Sequence, residues 1–144
     1  MDYASNRRTR AAWFVRFPLA LVFLLCVSRA DAMERFAALS MLESGDDDFA
    51  VGRYSEISRY QIRPEIWQQV TSAPVSQATN AAVALGVAQA VAAKCCQDFQ
   101  KQHGRPPSDY EFYILWNAPA QVDNPSRAVR ARAERFANLV QRRE

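Results

Sequence analysis

The chain has 144 residues, 49% of them hydrophobic, with 18 basic against 15 acidic side chains. That length predicts one domain with a modest core and argues against several. The first 32 residues hold five of the basic groups and two of the acidic ones, leaving 13 of each in the remainder, so charge gives no case for a nucleic-acid partner.

Arg7, Arg8, Arg10 and Arg16 precede an apolar run from Phe17 to Val27, interrupted only by Pro18, which exits through Ser28-Arg29-Ala30-Asp31-Ala32. A positive flank, a short apolar core and a small-x-small exit predict a secretory signal peptide over 1–32, cut after Ala32. A retained anchor is the weaker expectation, because about 20 apolar residues are needed to cross a bilayer. Lipid attachment at Cys26 is weaker still, since Leu25 stands where a small residue is usual. The expected product is a periplasmic or secreted domain over 33–144, monomeric, with no stable membrane span.

Met33 to Glu43 reads as a helix, with Phe36, Leu39 and Leu42 at spacings of three and Ala38 and Met41 beside them. Ser44-Gly45 and the run Asp46-Asp47-Asp48 end it. Phe49 to Ile62 alternates loosely around Gly52 and predicts an irregular, β-like excursion. Pro64 suits the first turn of a short helix to Val70, because the donor it lacks would be unpaired there. Thr71 to Pro74 is a turn. From about Ser76 to Gln102 an alanine-rich stretch predicts one long helix, with Val83, Ala84, Val87, Ala88 and Val91 on one face. Its small residues permit close packing and predict a central, buried position.

His103-Gly104 stops that helix. Ser108 and Glu111 form a capping box for the next, which runs to about Asn117 ahead of Pro119. Ser126 or Asn124 starts the last helix, to about Arg142, with Val129, Phe136, Leu139 and Val140 inward and its arginines in solvent. The predicted fold is all-α: about five helices around a central buried one, with an irregular excursion after the first.

Cys95 and Cys96 are neighbours, so on a helix they point apart and a bond between them would be strained. They read as two small, half-buried residues. With no CxxC and one histidine, His103, neither a metal site nor a cofactor is expected.

Three clusters could carry chemistry. Glu43 ends an apolar helical stripe beside Met41 and Leu42, and a carboxyl among apolar neighbours is expected to resist ionisation and so to serve as a proton donor. Ser44 beside it could bond a bound oxygen. Taken alone, Glu43 reads better as a solvated helix end. The second cluster, Tyr54 to Ile62, mixes aromatic rings, hydroxyls, an amide and an arginine, a composition that suits a sugar or, equally, a polar edge strand. The third, Tyr113-Ile114-Leu115-Trp116-Asn117, puts an aromatic and an amide at a helix end. Trp116 by itself reads as core, and Asn117 as a ligand or capping group.

In order, these pieces resemble the soluble lytic transglycosylase domain, a branch of the lysozyme-like superfamily. Glu43-Ser44-Gly45 is similar to that family's catalytic Glu-Ser motif. Ser55-Glu56-Ile57-Ser58-Arg59-Tyr60-Gln61-Ile62 falls on its Gly-Ala-x-Gly-Leu-Met-Gln-Ile, with Pro64 matching the proline that follows. Trp116-Asn117-Ala118-Pro119 falls on its Tyr-Asn-Ala-Gly. The resemblance runs from about Phe36 to Val122. It implies cleavage of the β-1,4 bond between N-acetylmuramic acid and N-acetylglucosamine in peptidoglycan, with Glu43 catalytic and with Ser44, Glu56, Ser58, Tyr60, Gln61, Tyr113, Trp116 and Asn117 around the substrate.

The chain also departs from the motif. Ser55 and Ser58 replace glycines, a change expected to reshape the wall that a sugar approaches. Tyr60 replaces a methionine, and Pro119 replaces the last glycine. Glu56 replaces an alanine and adds a carboxylate that could make a hydrolase pair with Glu43. A third expectation is a non-catalytic periplasmic glycan-binding protein on the same fold.

Overall fold

A computed structural model describes residues 33–142. The expected leader over 1–32 lies outside the described residues. Among the described residues the chain is all-α, with five α-helices: α1 (residues 33–44), α2 (Pro64–Val70), α3 (Ala81–His103), α4 (Asp109–Asn117) and α5 (Arg127–Gln141). Short 3-10 turns, Val75–Thr79 and Pro119–Gln121, precede α3 and follow α4.

The helix ends follow local chemistry. α1 closes on Gly45 at φ 71°, whose N–H donates to Met41 O, while Asp46 N–H donates to Ser40 O. Pro64 occupies the first turn of α2. The Ser108–Glu111 capping box starts α4, and Ser126, rather than Asn124, caps α5 through the Val129 N–H. α3 departs from expectation. It starts at Ala81, because the Asn80 side chain accepts from both Ala82 and Val83 N–H and so fixes the first turn there.

The burial of α3 is a second correction. It buries one face only, through Ala84, Val87, Ala88, Ala92 and Phe99. The more enclosed helix is α4, in which four consecutive residues, Phe112, Tyr113, Ile114 and Leu115, are buried, so core meets it over most of its circumference. Alanine can line a contact face, but it offers too little apolar area to draw a whole helix inside. Rings stitch α4 to its neighbours: Phe36 of α1 meets Phe112 edge-on at 6.0 Å, and Phe136 of α5 stacks on Phe112 at 5.7 Å. Arg35 on α1 also pairs with Asp109 at the start of α4, at 2.5 Å. Trp67 is fully buried, and its Nε1–H donates to Ala73 O at 2.8 Å, pinning the turn after α2.

The excursion between α1 and α2 is irregular, as expected. Its only pairings are isolated bridges of Val51 with Ile57 and of Ile57 with Ile62. The three carboxylates of the acidic turn before it are all engaged. Asp48 takes Arg59 through two bonds, 2.6 and 2.8 Å, and that contact holds the Asp48 carboxyl below its ordinary range. Asp46 accepts the Ser40 hydroxyl, and Asp47 accepts the Phe49 N–H. These contacts tie the excursion to the end of α1.

Candidate active site

Three helices converge on Glu43. It lies in the last turn of α1, with its side chain 9% exposed. The Tyr113 hydroxyl, from the enclosed α4, donates to Glu43 Oε1 at 2.7 Å. Arg132, from α5, reaches Oε2 at 3.3 Å and lies over the Tyr113 ring at 5.8 Å. The setting of Glu43 is therefore not apolar, as Met41 and Leu42 led one to expect. A phenol and a guanidinium each hold one of its oxygens. Burial, with the Glu43 carboxylate beside it, pushes the Tyr113 phenol far above its ordinary range, so the phenol stays a hydrogen-bond donor.

Glu43 opens onto a cleft of about 740 Å³. The excursion supplies Gly52, Arg53, Tyr54, Glu56 and Gln61 to its walls, and the end of α4 supplies Trp116 and Asn117. Five of the nine sequence-predicted residues thus share one cavity: Glu43, Glu56, Gln61, Trp116 and Asn117. Tyr113 joins them through Glu43. Trp116 is half-buried, packed against the core and lining the cleft at once, and Asn117 is exposed. Gln61 is held by its amide N–H to Ser58 O at 2.8 Å, which fixes its side chain. Glu56 is also held, by the Tyr54 N–H at 2.8 Å and by Arg63 at 3.7 Å. A Cβ at Gly52 would collide with the side-chain oxygens of both Glu56 and Gln61, so glycine there lets the two amide and carboxylate groups lie against the backbone.

The other three predicted residues are structural. Ser44 Oγ donates toward Ser40 O and Arg59 O and accepts from Asp47 N–H, so it fastens the excursion to α1 instead of facing the cleft. Ser58 is buried, and its hydroxyl has no partner. Tyr60 is buried against Phe36, with ring centroids 6.2 Å apart, and burial raises its phenol pKa. Neither serine of the second cluster lines the cleft, so the expected reshaping of the wall by Ser55 and Ser58 does not occur. Both instead occupy left-handed backbone, at φ 64° and 60°.

Arg132, Arg53 and Arg63 were not anticipated. The sequence pattern places Arg132 in solvent with the other arginines of α5. Its spacing carried the missed signal: it follows Val129 by three and precedes Phe136 by four, which puts it on the inward stripe. Cys95 also lines the cleft, whereas its neighbour Cys96 packs toward the core. Both are free thiols that burial keeps protonated. Among the described residues no group of three or more metal-ligating side chains gathers, and His103 stacks on Phe99 at 4.1 Å.

The chain matches no family model, no curated protein and no solved structure.

Proposed function

We propose that this protein is an exported peptidoglycan-cleaving enzyme of the lytic transglycosylase type, with Glu43 as its acid and then its base. The observation that carries the reading is the setting of Glu43: a nearly buried carboxyl, oriented by Tyr113 and Arg132, at the wall of a cleft that also collects Gln61 and Asn117. The order of the motifs in the sequence supports the same reading.

In this mechanism Glu43 protonates the oxygen linking N-acetylmuramic acid to N-acetylglucosamine, and that bond breaks as the substrate's own N-acetyl oxygen stabilises the cation at C1. Glu43, now a carboxylate, takes the proton from the C6 hydroxyl, whose oxygen closes on C1 to give the 1,6-anhydro ring. Gln61 and Asn117 supply amides to the sugar, and Trp116 and Tyr54 supply rings for its flat faces. A hydrolase using Glu56 is the second reading, because Glu56 shares the cleft. Against it, Glu56 is already engaged by the Tyr54 N–H and Arg63, as a residue that shapes the wall would be.

Purified sacculi and mass spectrometry of the soluble products test this. Anhydro ends are expected, and Glu43→Gln is expected to lower the rate by about 10²-fold or more, the ordinary worth of general acid–base help. Reducing ends, heavier by one water, would favour the hydrolase. Binding without turnover would leave a non-catalytic glycan-binding protein.

A further inference from the structure

The charges of the cleft balance in number but not in pairing. Its walls carry Arg53, Arg63 and Arg132 against Glu43, Glu56 and Glu65. Arg63 is shared between Glu56 at 3.7 Å and Glu65 at 3.9 Å. Arg132 has Glu43, and among the described residues Arg53 has no carboxylate within 4.0 Å. The two contacts on Glu43 also differ in kind. Tyr113 is fully buried and its hydroxyl sits at 2.7 Å, so it is fixed. Arg132 is long, 47% exposed along its side chain, and stands at 3.3 Å. Of the two, only Arg132 can swing without disturbing the core.

We propose that Arg132 is the specificity-determining residue of this cleft: it exchanges Glu43 for a carboxylate carried by the glycan, and so releases Glu43 Oε2 toward the glycosidic oxygen. This rests on the reading of the cleft as a glycan site. A guanidinium bonds a carboxylate through two parallel N–H groups, so an incoming carboxylate replaces the single contact to Glu43 with a better one. The released oxygen is the one on the solvent side, since Tyr113 keeps Oε1. A neutral glycan offers Arg132 nothing in exchange and leaves Glu43 occupied. Arg53, which lies over the Tyr54 ring at 5.7 Å and has no carboxylate within 4.0 Å among the described residues, adds a second guanidinium that a ligand carboxylate can meet in the same cavity. The carboxylate has two possible sources, the lactyl group of the sugar or the peptide stem.

Cleavage of the probes by the parent protein reads the exchange, which requires faster release from carboxylate-bearing strands than from amidated ones. Binding to the Glu43→Gln protein by calorimetry separates the sources, with turnover and the Glu43 ion pair both removed. Three probes are used: strands stripped of peptide, with lactyl carboxylates free; strands bearing stems, with lactyl groups in amide linkage; and stripped strands whose carboxylates have been amidated. At least one carboxylate-bearing probe is expected to bind about tenfold or more tightly than the amidated strands, as a charge-assisted bond gained would give. The better binder identifies the source. Adding Arg132→Gln is expected to bring the ratio to about one, and Arg132→Lys to retain part of it. Equal binding of all three probes, or a preference that survives Arg132→Gln, overturns the proposal. Preference without cleavage by the parent protein would fail the enzyme reading alone, and cleavage without preference would fail this inference alone.

Discussion

Tyr113→Phe isolates one atom of the site. The substitution removes the hydroxyl that donates to Glu43 Oε1 at 2.7 Å and leaves the ring where it packs, 5.4 Å from Phe136. No cavity opens, so any effect belongs to the hydrogen bond. A bond to a charged acceptor contributes about 1.5–3 kcal/mol, and the carboxylate left behind is nearly buried, so stability should fall by about that amount. For a domain of this size that is roughly 5–20 °C in the melting midpoint. Turnover should fall as well, because the Tyr113 hydroxyl holds Oε1 and so fixes the direction in which the Glu43 carboxyl meets the cleft. A loss of about 10–100-fold in kcat corresponds to the same 1.4–2.8 kcal/mol. KM should hardly move, since Tyr113 has no exposed surface with which to touch a sugar. Initial rates of anhydro-product release from sacculi over a range of concentrations give kcat and KM, and urea unfolding gives stability. A raised KM with kcat intact would place Tyr113 in substrate binding, and an unchanged kcat would refute its role in orienting Glu43.

Ser58→Gly should stabilise the chain. Ser58 holds φ 60°, which costs an L-residue about 1–2 kcal/mol, and its buried hydroxyl has no partner, a further cost of about 1–3 kcal/mol. Glycine gives back about 0.5–1 kcal/mol in chain entropy, so a net gain of at least about 1 kcal/mol is expected, read as a higher urea midpoint; a lower midpoint would mean the hydroxyl is satisfied in solution. Glu111 governs acid stability. Arg105 first, then the N–H and hydroxyl of Ser108, holds its carboxyl at about 2 against an ordinary 4.5. A depressed folded value stabilises above the unfolded one, so this contribution is complete above pH 4.5 and disappears as pH falls toward 2. Glu111→Gln should lower the melting midpoint at neutral pH and make its decline between pH 4.5 and 2 shallower; an equally steep decline would place the acid sensitivity elsewhere.

The parts of the fold that were legible in the sequence are those set by near neighbours in the chain. The Ser108–Glu111 box, Pro64, Gly45, Gly104 and the cap at Ser126 each act within one turn, so their residue types announce them. The start of α3 was misread because Ser76 and Asn80 both offer caps, and only the two bonds made by Asn80 decide between them. Burial of α4 in place of α3 depends on how much apolar area each helix offers its neighbours, which periodicity does not measure. The site divides in the same way. Glu43, Gln61 and Asn117 are marked by motif order, but Arg132 reaches Glu43 across 89 positions of sequence. Ser44 and Tyr60 sit in the expected motifs and are nonetheless structural, because a motif records which residues recur together and not which of them face the cavity.

Ser55 and Ser58 make the sharper case. Both stand where the resembled family carries glycine, and both keep the left-handed backbone that glycine takes most easily. The serines persist in that geometry because the segment is held from several sides. Ser58 N–H donates to Ala50 O, Gln61 N–H returns to Ser58 O, and Arg59 grips Asp48. Strain of this kind concentrates where a segment must hold side chains in a set place, and this segment delivers Glu56 and Gln61 to the cleft. The left-handed turns at Ser55 and Ser58 are therefore set by the contacts around them and not by glycine. What the segment brings to the cleft is the Glu56 carboxylate lying against Gly52, opposite the guanidinium that α5 places beside Glu43.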